Sequence, residues 1–201
     1  TRRTLEASRV PVVEIWELPA DPIGYAVGFS NRDAGAAMAR HLLETGRRRM
    51  AFIGTAGEGD RRGRLRYEGF AEVLEQSGSA EVRATAAAAG TQTARGARGL
   101  AAVLERWPDT DAVFCSSDSL ALGALSEARR RGLRVPDDLA VAGFGDFEFA
   151  GEFGLGLTTV RVPGLQIGET AAQLILDLNA GIEPRGRTVD LGFEVIARVT
   201  T

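Results

Sequence analysis

The stretch Asp111-Ala112-Val113-Phe114-Cys115-Ser116-Ser117-Asp118-Ser119-Leu120-Ala121-Leu122-Gly123-Ala124 decides the fold class. Its apolar run, 112–115, is short and bounded by polar residues, which reads as a buried strand. Ser117 or Asp118 then caps a helix, because either side chain can accept a backbone N–H of the first turn. Leu120, Leu122, Leu125 and Ala128 carry that helix on, and Gly132 sits just past its end, where a left-handed residue closes a helix.

The same alternation extends in both directions. Upstream, Val12–Trp16 and Ala26–Phe29 read as strands. Asn31 caps a helix carrying Ala34, Ala37, Met38, His41 and Leu42, which Gly46 ends. Met50–Ile53 is a buried strand, a Gly-rich loop runs from Gly54 to Gly63, and a helix follows over about 65–76. Residues 80–90 hold a weak, alanine-rich strand or loop, then a helix to Trp107 that Pro108 stops. Downstream, Leu139–Phe144 and Thr158–Val162 are strands. A helix after Pro163 carries Leu165, Ile167, Ala171, Leu174, Ile175 and Leu178. Val189, Leu191, Phe193 and Val195 then alternate as one half-buried strand. Strands separated by helices of this length predict an α/β fold with parallel sheet flanked by helices.

Composition narrows the function. The 201 residues are 44% hydrophobic and 25% charged, as in an ordinary globular protein, and enough for one core or two lobes. No apolar run is long enough to span a membrane. A net charge of −3 makes the chain a poor DNA binder by itself. All 24 basic residues are arginine, so lysine chemistry is absent, and the single cysteine permits no intrachain disulfide.

The catalytic signals are weak. His41 is the one histidine and lies mid-helix among apolar residues, a structural setting rather than part of a triad. Cys115 ends a buried strand, which favours core packing over a reactive thiol. No His, Cys, Asp and Glu cluster has metal-ligand spacing, so no metal and no cofactor is expected. Gly54-Thr55-Ala56-Gly57-Glu58-Gly59 follows a strand but fits no phosphate-loop pattern, and Glu58 and Asp60 would repel phosphate. It reads as a loop beside a ligand crevice, which in parallel sheets lies at the carboxyl ends of strands.

Five ordered motifs resemble the effector-binding core of the lac repressor and galactose repressor family. They are Val27-Gly28-Phe29-Ser30-Asn31, Gly46-Arg47-Arg48-Arg49-Met50-Ala51-Phe52-Ile53-Gly54 with Arg66-x-x-Gly69-Phe70 after it, the 111–124 stretch, Gly132–Phe144, and Leu157–Pro163 with Ile167-Gly168. Glu14-Ile15, Gly28–Asn31 and Arg161-Val162-Pro163 look most like gluconate-type repressors within it. The resemblance implies a periplasmic-binding-protein-like type I fold of two lobes. Residues 1–29 and 160–182 would form part of an N-terminal lobe, and 31–158 with 187–201 the C-terminal lobe, joined by three hinge crossings. Family members begin with a helix-turn-helix DNA-binding domain. Here Thr1 aligns with the middle of the N-terminal lobe, so the chain reads as a fragment of a longer regulator whose N-terminal lobe is incomplete.

By the same resemblance a small effector, a sugar or a sugar acid such as gluconate, sits between the lobes. Arg66 falls on the family's ligand-binding arginine. Phe29 and Phe114 would wall the ligand, Ser117 is a polar contact, and Asp118 lies beside it. The family's acidic contact falls on Gly145, so Asp146 is taken in its place. Trp16 would stack on a sugar ring. Core packing is the competing reading of Phe29, Phe114 and Trp16. The family further implies a cytoplasmic homodimer, formed through the helix 120–131, that binds operator DNA through the helix-turn-helix and releases or grips it allosterically. A sugar-binding protein of a transport system shares the fold and is the alternative; an enzyme ranks behind both.

Overall fold

The computed structural model describes residues 2–8, 10–54, 60–78, 82–86, 90–151 and 155–201. Along the chain run α1 (Arg2–Glu6), β1 (Val13–Ile15), β2 (Tyr25–Gly28), α2 (Asn31–Glu44), β3 (Met50–Ile53) and α3 (Arg61–Gln76). Next come β4 (Arg83–Thr85), α4 (Gln92–Arg106), β5 (Ala112–Cys115), α5 (Asp118–Arg130), β6 (Ala140–Gly145) and α6 (Glu148–Gly151). The chain closes with β7 (Thr158–Arg161), α7 (Gly164–Asn179), β8 (Thr188–Asp190) and β9 (Glu194–Ile196). Expectations placed on 55–59, within the Gly-rich loop, and on 79–81 and 87–89, in the alanine-rich region, lie outside the described residues.

The chain divides into two units. The first comprises Thr1–Ser30 and Val162–Phe193, the second Asn31–Arg161 and Glu194–Thr201. In the first, three parallel strands lie in the order β1-β2-β8, and α7 packs on β1 and β2. Only Ile167, Ala171 and Leu174 of α7 are buried. Leu165 is 79% exposed, and Ile175 is exposed as well.

The second unit holds the main core. Its sheet runs β4-β3-β5-β6-β7-β9, parallel except for β9, which pairs antiparallel with β7. Every residue of β3 and of β5 is buried, as a sheet covered on both faces requires. Alternation sorts the side chains. Phe114 joins Phe52 and Phe70 in a ring cluster with centroids 5.5–6.1 Å apart. Val113 and Cys115 point the other way, into a cluster with Leu100 and Val103 of α4 and Leu120 and Ala124 of α5.

Three expectations are corrected. The alternation from Val189 to Val195 is not one strand. Gly192 takes a φ of +68° and its N–H turns back to the Asp190 carboxylate at 2.9 Å. This break sends β8 to β2 of the first unit and β9 to β7 of the second. Residues 187–193, expected in the C-terminal lobe, therefore belong to the first unit. The third helix starts at Arg61 instead of about 65, because the Asp60 carboxylate accepts the Gly63 N–H at 2.8 Å and caps it there.

The helices pair through glycines. A Cβ on Gly35 would sit 1.9 Å from the Arg66 carbonyl oxygen, and one on Gly69 equally close to that of Arg32, so α2 and α3 touch backbone to backbone. Gly96 and Gly123 do the same for α4 and α5. Alanine in an exposed helix interior gains up to about 1 kcal/mol over glycine. At Gly123 the new methyl would lie 1.9 Å from the Thr93 carbonyl oxygen, and overpacking of about 1–3 kcal/mol outweighs that gain. Gly123→Ala should lower the thermal midpoint by several degrees, whereas Gly168→Ala, with nothing within 4 Å, should leave it unchanged or raise it. Equal effects would contradict the close approach.

On α5, the nearly buried Glu127 carboxylate accepts hydrogen bonds from Arg130 at 2.7 Å and Arg131 at 2.6 Å. The Arg130 hydrogen bonds lead in pulling its pKa from an ordinary 4.5 to about 2, against burial. A carboxylate depressed in the folded state stabilises above its unfolded pKa and loses that contribution as pH falls through the folded one. Glu127→Gln should therefore cost about 1 kcal/mol at pH 7, discounted because Arg130 is mostly exposed. The deficit should shrink between pH 4.5 and 2 in urea melts.

Candidate functional site

At the carboxyl edge of the second unit's sheet, three helices begin. Asp60 caps α3 after β3, Thr91 caps α4 after β4, and Ser117 caps α5 after β5. Helix N-termini present unpaired N–H groups and positive potential. Between them lies a cavity of about 470 Å³ lined by Asp60, Arg66, Gln92, Arg95, Ser116, Ser117 and Leu120. That volume lies within the roughly 300–1,000 Å³ usual for small-molecule sites.

Arg66 is the most constrained of these residues. It stands in the second turn of α3, fixed by the α2–α3 approach at Gly35, and is 7% exposed. Its Nη1 donates to the side-chain oxygen of Asn31, and its Nη2 donates to the Ser116 carbonyl at 3.3 Å. The guanidinium carbon lies 4.0 Å from the centroid of the Phe144 ring. A buried cation needs such partners, because its desolvation is otherwise costly. Asn31 is the first residue of the second unit, directly after the chain leaves the first. One guanidinium thus lines the cavity and holds a crossing point.

Of the other expected site residues, Ser117 lines the cavity while its hydroxyl accepts the Leu120 N–H at 3.3 Å. Asp118 does not line it. Its carboxylate, fully buried, accepts the Thr159 hydroxyl at 2.6 Å and the Phe147 N–H at 2.8 Å. Burial raises its pKa, and these two hydrogen bonds only partly offset that. Its position is structural: it ties the start of α5 to β7 and to the turn after β6. Phe114 is likewise no cavity wall, since β5 alternation turns its ring into the Phe52 and Phe70 cluster. Asp146, in a left-handed conformation with φ +52°, is paired to Arg161 at 2.6 Å and Arg198 at 2.7 Å. Burial opposes its ionisation, but those arginines hold its pKa below the ordinary value, so its charge is already compensated within the fold. Phe29 and Trp16 belong to the first unit, where their rings meet edge to face at 6.3 Å, and Phe29 also meets Phe193 at 6.3 Å.

Asp60, Gln92, Arg95 and Ser116 complete the lining and were not singled out by the sequence. The available signal was general: residues opening a helix after a parallel strand face the crevice. Elsewhere, His41 Nε2 lies 2.9 Å from the Thr201 hydroxyl, and burial pushes the Cys115 thiol pKa up. Among the described residues no cluster of three potential metal ligands occurs, and no helix is long and apolar enough to cross a membrane.

Residues 39–201 match the family described as periplasmic binding protein-like domain. The chain is 40% identical over 204 residues to the HTH-type transcriptional regulator GntR of Pseudomonas aeruginosa, a match covering all of this chain and 58% of that protein. The crystal structure of transcription regulator GntR from Chromobacterium violaceum superposes with a TM-score of 0.90 at 38% identity, covering 98% of this chain and 72% of that one. A LacI family transcriptional regulator from Silicibacter pomeroyi does so with a TM-score of 0.88 at 34% identity, covering 99% and 72%. This chain spans 58% of the length of the curated GntR relative. With its fold and its whole length so matched, the chain belongs to the lac repressor and galactose repressor family of transcription regulators, and within it is similar to regulators named GntR.

Proposed function

We propose that this chain is the effector-sensing domain of a DNA-binding transcriptional regulator that takes a small sugar or sugar acid such as gluconate. The observation that carries the reading is the double engagement of Arg66. It lines the cavity of the second unit and donates to Asn31 at the point where the chain enters that unit. The guanidinium fork suits hydroxyl and carboxylate oxygens. A ligand oxygen that draws on Arg66 alters the hold on Asn31, so occupancy and the crossing are energetically coupled. Ligand then shifts the balance between two arrangements of the regulator, and DNA must change ligand affinity by the same factor.

The chemistry of the cavity supports sensing over turnover. It presents hydrogen-bonding groups, while His41 is bonded to Thr201 and Cys115 is buried with a raised pKa. In the full-length protein we place a helix-turn-helix ahead of this domain, a homodimer as the working state, and the cytoplasm as its location. Phe29 and Trp16 are retained as aromatic contacts of the effector.

The test uses the full-length regulator with DNA from its own promoter. D-gluconate at 100 times its dissociation constant should add about 2.7 kcal/mol of stability, seen as a rise in thermal midpoint. It should also change operator affinity, and Arg66→Ala should abolish both effects. A ligand that binds without changing operator affinity, or that binds Arg66→Ala equally well, would overturn the reading.

A further inference from the structure

Resting on that sensing role, we infer that the Ser116 hydroxyl is a specificity-determining ligand contact. It binds a hydroxyl group of the effector beside the oxygen held by Arg66, and so selects a polyhydroxylated ligand.

Ser116 follows directly on β5, at the carboxyl edge where crevices form in parallel sheets. It lines the cavity and is only 5% exposed. Both of its backbone groups are committed to the fold. Its N–H donates to the Ile53 carbonyl at 2.9 Å, and its carbonyl accepts from Arg66 Nη2 at 3.3 Å. The second bond seats the serine next to the guanidinium.

The side chain is not committed in this way. Among the described residues the Ser116 hydroxyl has no hydrogen-bond partner, whereas the adjacent Ser117 hydroxyl accepts the Leu120 N–H and caps α5. A buried hydroxyl without a partner lowers stability, and alanine would fill nearly the same space without that cost. Space is also kept around this group. A Cβ on Gly54, just after β3, would lie 2.6 Å from Ser116 Oγ, so any larger residue there would crowd the hydroxyl. The two neighbours then have complementary chemistry. A guanidinium only donates and takes an acceptor oxygen, while a serine hydroxyl both donates and accepts, as an alcohol group requires. Together they read an acceptor oxygen and a hydroxyl on one ligand, the arrangement found in sugars and sugar acids.

Isothermal titration of the full-length regulator with D-gluconate, and with the deoxy-D-gluconates that each lack one hydroxyl, tests this. Ser116→Ala should weaken gluconate binding about five- to tenfold, the factor expected of one neutral hydrogen bond. One deoxy ligand should lose a similar factor on the wild type, and Ser116→Ala should bind that ligand as the wild type does. That ligand identifies the hydroxyl concerned. Without ligand, the thermal midpoint of Ser116→Ala should stay level or rise, because an unpartnered hydroxyl is removed; a purely structural serine would lower it. Undiminished gluconate affinity in Ser116→Ala, or equal weakening for every ligand of the series, would overturn the contact and leave the sensing role standing. A wild type that binds no ligand of the series would overturn the sugar-acid reading and this inference together.

Discussion

A buried arginine sets the terms for the rest of the structure. Arg66 cannot lose its charge at any ordinary pH, and it is removed from solvent. Its desolvation is offset by fixed partners from three separate places: the Asn31 side chain at the start of α2, the Ser116 carbonyl after β5, and the Phe144 ring in β6. Those elements must be in register for the cation to be tolerated. The glycines that let α2 and α3 touch are what bring Asn31 and Arg66 together. Packing, electrostatics and site geometry converge on one side chain.

The parallel sheet supplies the stage. Because β3, β4 and β5 all point the same way, the helices that follow them open on the same edge. The caps Asp60 and Ser117 and residues from the opening turns of all three helices line the cavity. A second polar system sits beside the crossings. Asp146 gathers Arg161 and Arg198, and Arg161 also reaches Glu194 at 3.6 Å. Arg161 and Glu194 are the residues at which the chain leaves and re-enters the second unit. Like Asn31, they are held by charge on the side of the second unit.

Much of this was legible in the residues. The all-apolar runs 50–53 and 112–115 announce strands covered on both faces, and caps such as Ser117 mark the helix starts. Arg66 was legible through its motif, Arg-x-x-Gly-Phe, since Gly69 is also a helix contact. What was not legible has physical causes. An apolar residue on a doubly covered strand, such as Phe114, gives no sign of which face it occupies. Asp118 and Asp146 were placed at the site by the family resemblance alone, and their ties to Thr159, Arg161 and Arg198 gave no local sign because those partners are remote in sequence. Alternation from Val189 to Val195 imitates a single strand, and only the left-handed Gly192 breaks it. Arg95 carried no local signal at all; what marks it is the convergence of three helix ends.

The central claim is that the Arg66 to Asn31 hydrogen bond carries occupancy of the cavity to the crossing. The most direct measurement is operator affinity of the full-length regulator with and without saturating effector, in wild type and in Asn31→Ala. The thermal midpoint of each serves as a check on folding. The account predicts that Asn31→Ala binds the effector within a few fold of wild type, yet loses most of the effector's influence on operator binding. An unchanged influence in a folded, effector-binding variant would contradict it.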